Sequence, residues 1–590
     1  MIPISSPNLA DALSGAAGRE DPRGDTSLRV SSSGWETPSA ISAEVIALAL
    51  GLPVPTSAQQ DVIQAPPAPA LVVAGAGSGK TETMAGRVVW LVANGHVRPD
   101  EVLGLTFTRK AAGELAERIG TRLETIGHFA RRGLLPHLPE LVASGALRRV
   151  HDAAAGAQRE AVRIQVLDAL AEGLGTGWDP RTPRSADDLL LRPRVSTYNA
   201  FADGIVREHA ARIGRDPEAG MLSQSASWLI ARTVVLRADL PGIEDIDRAL
   251  GTVIDAVQKL AGEALDHRVD LDAVERIATE QAAAFGPYRS NRDVDTAALN
   301  LLSMPVLTSL VREYIAEKER RGVLDFADQV GGAFDIVETA PDVRAELREQ
   351  HRVVLLDEYQ DTSVIQTRFL AALFRDSAVM AVGDPHQSIY GWRGASADNL
   401  YAFGRSFAGR QAARTYSLMT SWRNDRSILD VANRVLQPLE RPGLEVPALE
   451  PRPGAGRGRV EAAFPLTVDE EAEAVADWFQ RRREEHAAAA ENGARTAHTG
   501  AILFRSKRHM QTFAGALARR GIPHRILGLG GLLSTPEVVD VVSMLRVIHD
   551  PTAGSALIRL LVGPRFAIGV ADMAALYDLA SALARRDASL

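Results

Sequence analysis

Apolar positions fall into short runs that alternate with amphipathic stretches along most of the chain. Leu71 to Val73 is a continuous apolar run entering a glycine-rich turn, and from Lys80 and Thr81 an amphipathic stretch reads as helix through Val92. Similar runs recur at Val102–Leu105, Val353–Leu356 and Val379–Val382, and Val195–Phe201 reads as a strand end entering a helix. Continuous apolar runs of this length indicate strands covered on both faces. Strands alternating with helices indicate an α/β fold with a parallel sheet. Two short helices precede the first strand, one over Ile41–Leu50 with Ser42 as N-cap, and one starting near Thr56.

The pattern divides the chain. Residues 1–40 are rich in Ser, Gly, Pro and charge without periodicity and read as a disordered arm. A first α/β segment covers 41–204, with a helical insert at about 121–194 whose Arg and His residues suit either nucleic acid or a solvated face. Residues 205–335 are mostly helical, 336–415 return to the first α/β domain, and 416–535 open a second one. In that second domain Val460–Phe464 and Gly500–Phe504 read as strands around a helix over Glu470–Glu484, Gly528–Leu533 ends the pattern, and 536–590 turn helical.

Composition changes this picture little. At 590 residues the chain needs several cores. It has no cysteine, which excludes disulfides and Cys-ligated metal within it. No uninterrupted apolar run reaches the length of a membrane span, and the N-terminus lacks a signal-peptide pattern, so a cytoplasmic protein without membrane partners is expected. The net charge of −8 argues against a wholly basic nucleic-acid binder but permits a local basic channel.

The chemistry sits at the strand ends. Gly75, Ala76, Gly77, Ser78 and Gly79 form a turn whose backbone N–H groups can point inward at a phosphate. Lys80 is placed to reach the terminal phosphates, and the Thr81 hydroxyl to hold Mg²⁺. Gln59, just upstream, is either a solvated helix residue or a reader of the adenine edge. Asp357 and Glu358 end the Val353–Leu356 strand. One can hold Mg²⁺ and the other orient the attacking water, provided the strand ends there, because adjacent strand residues point to opposite faces. Gln387 suits γ-phosphate sensing, Arg423 suits an arginine finger, and Trp422 can stack on adenine. Tyr390, Trp392 and Arg393 interleave aromatic and cationic groups that can stack bases and touch phosphates.

The strings AGAGSGKT, TFTRKAAGEL, STYNAF, LDFADQV, LLDEYQDT, GDPHQSIYGWRGA and LMTSWRN together resemble superfamily 1A DNA helicases of the UvrD/Rep/PcrA type, from about Pro55 to Gly569. The long insert and GLGGLLSTPEVVDVVSMLR look most like AdnB-type helicase–nuclease subunits. The resemblance implies P-loop, RecA-like motor domains with helical insertions, which use ATP and Mg²⁺ to move 3′ to 5′ along single-stranded DNA in repair or recombination. Implied partners are single-stranded DNA, duplex junctions and a second helicase–nuclease subunit. It assigns adenine reading to Gln59, phosphate and Mg²⁺ binding to Lys80 and Thr81, and Mg²⁺ binding and water activation to Asp357 and Glu358. Gln387 is the coupling residue and Arg423 the finger, while Thr108, Arg109, Thr197, Tyr198, Tyr390 and Trp392 contact or stack on DNA.

Three departures stand out. Asn199 follows Tyr198 where the family often has His, and Trp422 replaces a Tyr. The family's late KGLE-like and YVA.TRA-like segments do not occur, so the chain reads as an N-terminal portion of a longer protein or a truncated product. A non-catalytic ATP- and DNA-binding fragment is the alternative to an active helicase. A transporter-type ATPase lacks support, since its signature sequence is absent.

Overall fold

The computed structural model describes residues 40–147, 159–176, 191–244, 246, 248–391, 394–409, 412–439, 441–491, 499–527, 535–550 and 552–586. The arm expected over 1–40, Trp392, Arg393 and the Gly528–Leu533 segment therefore lie outside the described residues, apart from residue 40. The chain divides into two units, Met1–Arg459 and Val460–Leu590, each taken by itself here.

The first unit is built on a six-stranded, wholly parallel sheet. Its strands are β1 (Ala70–Ala74), β2 (Val102–Thr106), β3 (Arg194–Thr197), β6 (Val353–Leu356), β7 (Ala378–Gly383) and β8 (Arg414–Leu418), in the order β3-β2-β6-β7-β1-β8. Side chains alternate faces along each strand. Val72, Val353, Leu355, Met380 and Val382 enter one core, while Val73, Val354, Leu356, Val379 and Ala381 enter the other. Both faces are thus apolar and both are covered by helices, which accounts for continuous rather than alternating runs in the sequence.

One face carries α1 (Ala43–Ala49), α2 (Ser57–Ile63), α3 (Lys80–Ala93) and α4 (Arg109–Arg131). The other carries the helices Tyr198–His209, Phe326–Thr339, Val364–Phe374 and Asp398–Phe407. Ser42 and Thr56 cap α1 and α2, accepting from Val45 N and Gln59 N at 3.2 Å each. Arg87 of α3 is fully buried, and its guanidinium donates to the carbonyls of Val62, Ile63, Ala65 and Pro66, fixing the link from α2 into β1.

Two boundaries fall differently from the sequence reading. Strand β8 pairs residue for residue with β1 from Ala70↔Arg414 to Ala74↔Leu418, so the first sheet runs past residue 415. Helix α4 runs unbroken from Arg109 through Arg131, so position 121, where the insert was expected to begin, falls in mid-helix and marks no break in the chain. The helices between Gln224 and Arg320 build a core of their own around Ile254, Val257, Leu310, Val311 and Tyr314. Beside it β4 (Gly220–Met221) pairs with β5 (Val323–Leu324). Residues Arg292–Arg320 meet the length and hydropathy of a membrane span, but the run is interrupted at Ser303 and its Leu310, Val311 and Tyr314 are core residues. Lys318, 2% exposed, is ion-paired to Asp325 (2.6 Å) and Asp328 (2.7 Å) of the LDFADQV string. Burial opposes its charge, yet the two carboxylates hold its pKa above the usual lysine value.

In the second unit the helix Val468–Glu491 packs on Met510–Arg519 through Ala472, Ala476, Phe513 and Leu517. Helices Pro536–His549, Gly554–Val562 and Val570–Ala584 follow. The strands expected over Val460–Phe464 and Gly500–Phe504 do not form. No neighbouring strand among the described residues takes up their backbone groups, and Phe464 and Leu503 are 98% and 94% exposed. An apolar run becomes a strand only where a ladder partner exists.

Candidate nucleotide site at the carboxyl edge of the sheet

Four of the polar strings leave the six-stranded sheet at the same edge. The segments Gly75–Gly79, Phe107–Arg109, Asp357–Asp361 and Asp384–Gln387 follow the carboxyl ends of β1, β2, β6 and β7, the edge where parallel α/β sheets bind ligands. A larger cleft of about 810 Å³ is lined by Leu71, Thr415 and Arg375, near the opposite strand ends, and gathers none of these groups.

The loop after β1 is held from both sides. Gly75 N donates to Leu418 O (2.9 Å) and Ser78 N to Gly75 O (3.2 Å). Gly77 and Gly79 have φ of 76° and 83°, the left-handed region that glycine tolerates. A Cβ on Gly77 would also meet Arg423 Cβ at 2.8 Å, so the loop cannot carry a side chain there. Gly79 caps α3 without a side-chain bond, which leaves first-turn N–H groups open to an anion. Ser78 Oγ is buried without a hydrogen-bond partner, as is Thr106 Oγ1 at the end of β2. Ala76 and Thr81 lie half-buried on this loop and on the first turn of α3.

Strand β6 ends as the acidic pair requires. Asp357 N still donates to Leu105 O of β2 (2.8 Å), and Glu358 then turns into the left-handed region with φ 48°. That turn brings Glu358 Oε2 to 3.3 Å from Lys80 Nζ. A left-handed non-glycine residue costs of order 1–3 kcal/mol and persists only where its surroundings impose it. Asp357 is 4% exposed. Burial, and then the Glu358 charge, push its carboxyl up to about 7, while Lys80 pulls the other way. Burial and Glu358 likewise raise Asp361 to about 6. Such a surplus of crowded carboxylate is what a divalent cation relieves. No group of three or more His, Cys, Asp or Glu gathers among the described residues. The donors thus suit Mg²⁺ held by one hydroxyl, one carboxylate and phosphate oxygens, rather than a protein cage.

Two residues that the sequence reading left unassigned complete the network. Gln360, 1% exposed, donates to Glu358 Oε2 (2.8 Å) and accepts from Asp384 N (3.0 Å). Asp384 Oδ2 accepts in turn from Gln387 Nε2 (2.7 Å). Lys80, Glu358, Gln360, Asp384 and Gln387 are therefore one chain of contacts. The strings DEYQD and GDPHQ carry both residues, but only the fold shows that they meet.

Across the loop, Trp422 N donates to Gly77 O (2.9 Å), which seats Trp422 and Arg423 over the phosphate turn. Both are exposed, Trp422 at 47%. Gln59 lies on the other side and is buried. Its Oε1 accepts from Thr56 N (3.0 Å) and its Nε2 donates to Ser78 O (3.2 Å). It is therefore part of the loop's scaffold, with one amide hydrogen and one lone pair to spare.

The residues expected at DNA separate into two groups. Thr108 and Arg109 are exposed at the start of α4, with Thr108 Oγ1 accepting from Ala111 N as its cap. Tyr390 packs on Phe107 of the same edge, ring centroids 4.7 Å apart and the planes tilted by 31°. Thr197 caps the helix Tyr198–His209. Tyr198 does not belong at an open surface. It is 4% exposed, its hydroxyl donates to Asp357 O (2.8 Å), and it offers no ring face to a base. Its role here is to brace the acidic pair from below.

The UvrD/REP helicase N-terminal domain family matches residues 56–408, and the UvrD-like helicase C-terminal domain family matches 416–584. The chain is similar to the ATP-dependent DNA helicase PcrA of Leuconostoc citreum, 25% identical over 89% of this chain and 56% of that protein. It is 27% identical to the ATP-dependent DNA helicase UvrD1 of Mycobacterium bovis over 85% and 53%. Against DNA helicase II of Escherichia coli the figures are 25%, 87% and 56%. The chain thus spans just over half the length of these relatives. The N-terminal match alone takes in more than half of the 590 residues, together with the phosphate loop, the acidic pair and Gln387, and on it the chain belongs to the UvrD/Rep helicase family.

Proposed function

We propose that this chain is an ATP-hydrolysing motor that translocates 3′ to 5′ on single-stranded DNA and acts at duplex junctions in DNA repair or recombination, in the cytoplasm. The observation that carries the proposal is the contact of Lys80 with Glu358 beside Asp357, at the end of a phosphate-type loop whose Gly77 lies against Arg423. In this reading the loop 75–79 and Lys80 bind the ATP phosphates, and Glu358 takes the proton of the attacking water. Arg423 faces the γ-phosphate, and Trp422 stacks on the base. Mg²⁺ at Thr81 and Asp357 would supply charge neutralisation of the phosphates. Gln387, tied to Glu358 through Gln360 and Asp384, passes the state of the γ-phosphate to the Phe107–Tyr390 edge, where DNA binds with Thr108, Arg109 and Thr197; Trp392 is assigned to DNA by its sequence string alone. The finer likeness to AdnB-type helicase–nuclease subunits adds a second subunit as partner.

A second reading, ATP and DNA binding without turnover, draws on the segments 460–464 and 500–504, which form no strand among the described residues. DNA-stimulated ATP hydrolysis by residues 1–590, with Glu358→Gln as control, separates the two. Stimulated turnover that the control abolishes supports the motor. Binding of ATP without turnover supports the second reading, and absence of nucleotide binding refutes both.

A further inference from the structure

The cleft beside the phosphate loop does not stop at Gln59. A cavity of about 440 Å³ begins at Gln59, Gly79 and Trp422 and continues beneath α1, where Ile46, Ala47 and Leu50 line it opposite Val89 and Trp90 of α3. It is a cleft open at the Gln59 and Trp422 end and narrowing toward α1. It also falls within the usual range of small-molecule sites.

Its roof is anchored. Trp90 Nε1 donates to Ile41 O (2.9 Å), Ile41 N donates to Asn94 Oδ1 (2.7 Å), and Ala43 N donates to Gln64 Oε1 (2.9 Å). These bonds tie the start of α1 to α3 and to the end of α2. The space beneath stays open because the residues facing it are small, with Ala43 and Ala47 on α1 and Gly86 on α3. Gly86 is itself closely approached, since a Cβ there would meet Ile63 Cδ1 at 3.0 Å. The charged lining residues, Glu82 and Arg122, are paired with each other at 2.5 Å. The inner compartment therefore offers apolar walls and no unpaired charge. Cavities of that kind stay dry and take apolar ligands.

We propose that this compartment is a subsite for an uncharged aromatic group carried on the adenine base, so that the nucleotide site accepts purine triphosphates enlarged on the edge facing Gln59. The inference rests on the nucleotide reading above. Gln59 stands at the mouth and keeps one amide hydrogen and one lone pair for the base edge. A substituent on the amino group of that edge passes beside Gln59 into the space below α1. Trp422, with its exposed ring, stays outside that path as the wall for the purine itself.

The probe is N6-benzyl-ATP, measured beside ATP by competition with a fluorescent nucleotide on the full chain. The wild type is expected to bind the analogue within about threefold of ATP. Ala47→Phe fills the compartment from α1, and Ala47→Met fills it with a more flexible side chain. Each is expected to weaken the analogue by about tenfold or more while ATP stays within about twofold. A wild type that binds ATP but rejects the analogue by about tenfold overturns the subsite. So do filled variants that bind ATP normally and keep the analogue. Failure to bind ATP itself overturns the nucleotide reading instead, and the subsite falls with it.

Discussion

Gln360→Leu tests whether the acidic pair is positioned by the network behind it. Gln360 is enclosed, and a Cβ on Gly383 would come within 2.7 Å of its Oε1, so the backbone of β7 packs directly against the amide. Leucine keeps the volume and removes both bonds, the one to Glu358 Oε2 at 2.8 Å and the one from Asp384 N at 3.0 Å. A hydrogen bond to a charged group is worth about 1.5–3 kcal/mol, and an orphaned buried N–H costs about 1 kcal/mol or more. With Gln360 gone, the remaining side-chain partner of Glu358 among the described residues is Lys80, at 3.3 Å. The carboxylate is then free to settle on Lys80 instead of facing the attacking water of the proposed reaction. Misorientation of the base appears in kcat, so turnover at saturating single-stranded DNA is expected to fall about 10–100-fold with KM for ATP nearly unchanged. Steady-state ATPase measured against ATP concentration is the assay, with thermal unfolding run in parallel to show that the variant is folded. Gln360→Glu adds a further carboxylate to the cluster, which raises the neighbouring pKa values and shifts the acid limb of the pH–rate profile upward. A folded Gln360→Leu variant with kcat within about twofold of wild type refutes the positioning role.

Further expectations follow from buried groups. Lys318→Met leaves Asp325 and Asp328 together without their cation and is expected to destabilise the first unit by about 3–5 kcal/mol, read by urea unfolding; an unchanged midpoint refutes the pairing. His351 is 4% exposed, and burial, with Arg194 nearby, lowers its pKa to about 4. The folded state thus binds fewer protons than the unfolded chain between about pH 6.5 and 4, so stability is complete above that window and is lost on descending through it, by up to about 1.4 kcal/mol per pH unit. His351→Phe should flatten that part of the urea midpoint-against-pH curve, and an identical slope in the variant rejects the assignment. Trp422→Ala removes one wall of the base slot and should weaken nucleotide binding about tenfold with the DNA affinity of the nucleotide-free protein unchanged; equal nucleotide affinity by fluorescence titration would return Trp422 to a surface role.

The sheet and the polar strings at its strand ends were legible because burial on both faces leaves continuous apolar runs, and because each run ends in a polar string. Val353–Leu356 followed by Asp357 and Glu358 is the clearest case, and the left-handed Glu358 is the backbone solution that two adjacent carboxylates demand. Three things were not legible. Tyr198 follows a strand end in a polar string, as an exposed aromatic would, and only the packing of its helix beneath β6 shows it buried. Gln360 and Asp384 lie 24 residues apart, and nothing local marks them as partners. Val460–Phe464 and Gly500–Phe504 carry strand composition, but strand formation is decided by a neighbour, which composition does not encode.

The same strand end also sets the electrostatics of the site. If β6 ran two residues further, Asp357 and Glu358 would point to opposite faces, and one would be lost in the core. By turning at Glu358 the chain keeps the Asp357 backbone on the sheet, through Leu105 O, while sending the next side chain to Lys80. The cost is a buried carboxyl at Asp357 lifted to about 7 by burial and by its neighbour. That cost acts against the protein without ligand and is relieved when positive charge enters beside Asp357, so the proposed Mg²⁺-bearing nucleotide would draw part of its binding energy from a strain already present in the folded site. Asp357→Asn removes the repulsion without changing shape. It is therefore expected to stabilise the nucleotide-free protein while weakening Mg²⁺-dependent nucleotide binding, two effects of opposite sign that a general packing defect cannot produce. Thermal unfolding with and without Mg²⁺ and nucleotide reads both, and a variant that loses stability in each condition would place Asp357 in the core rather than in the site.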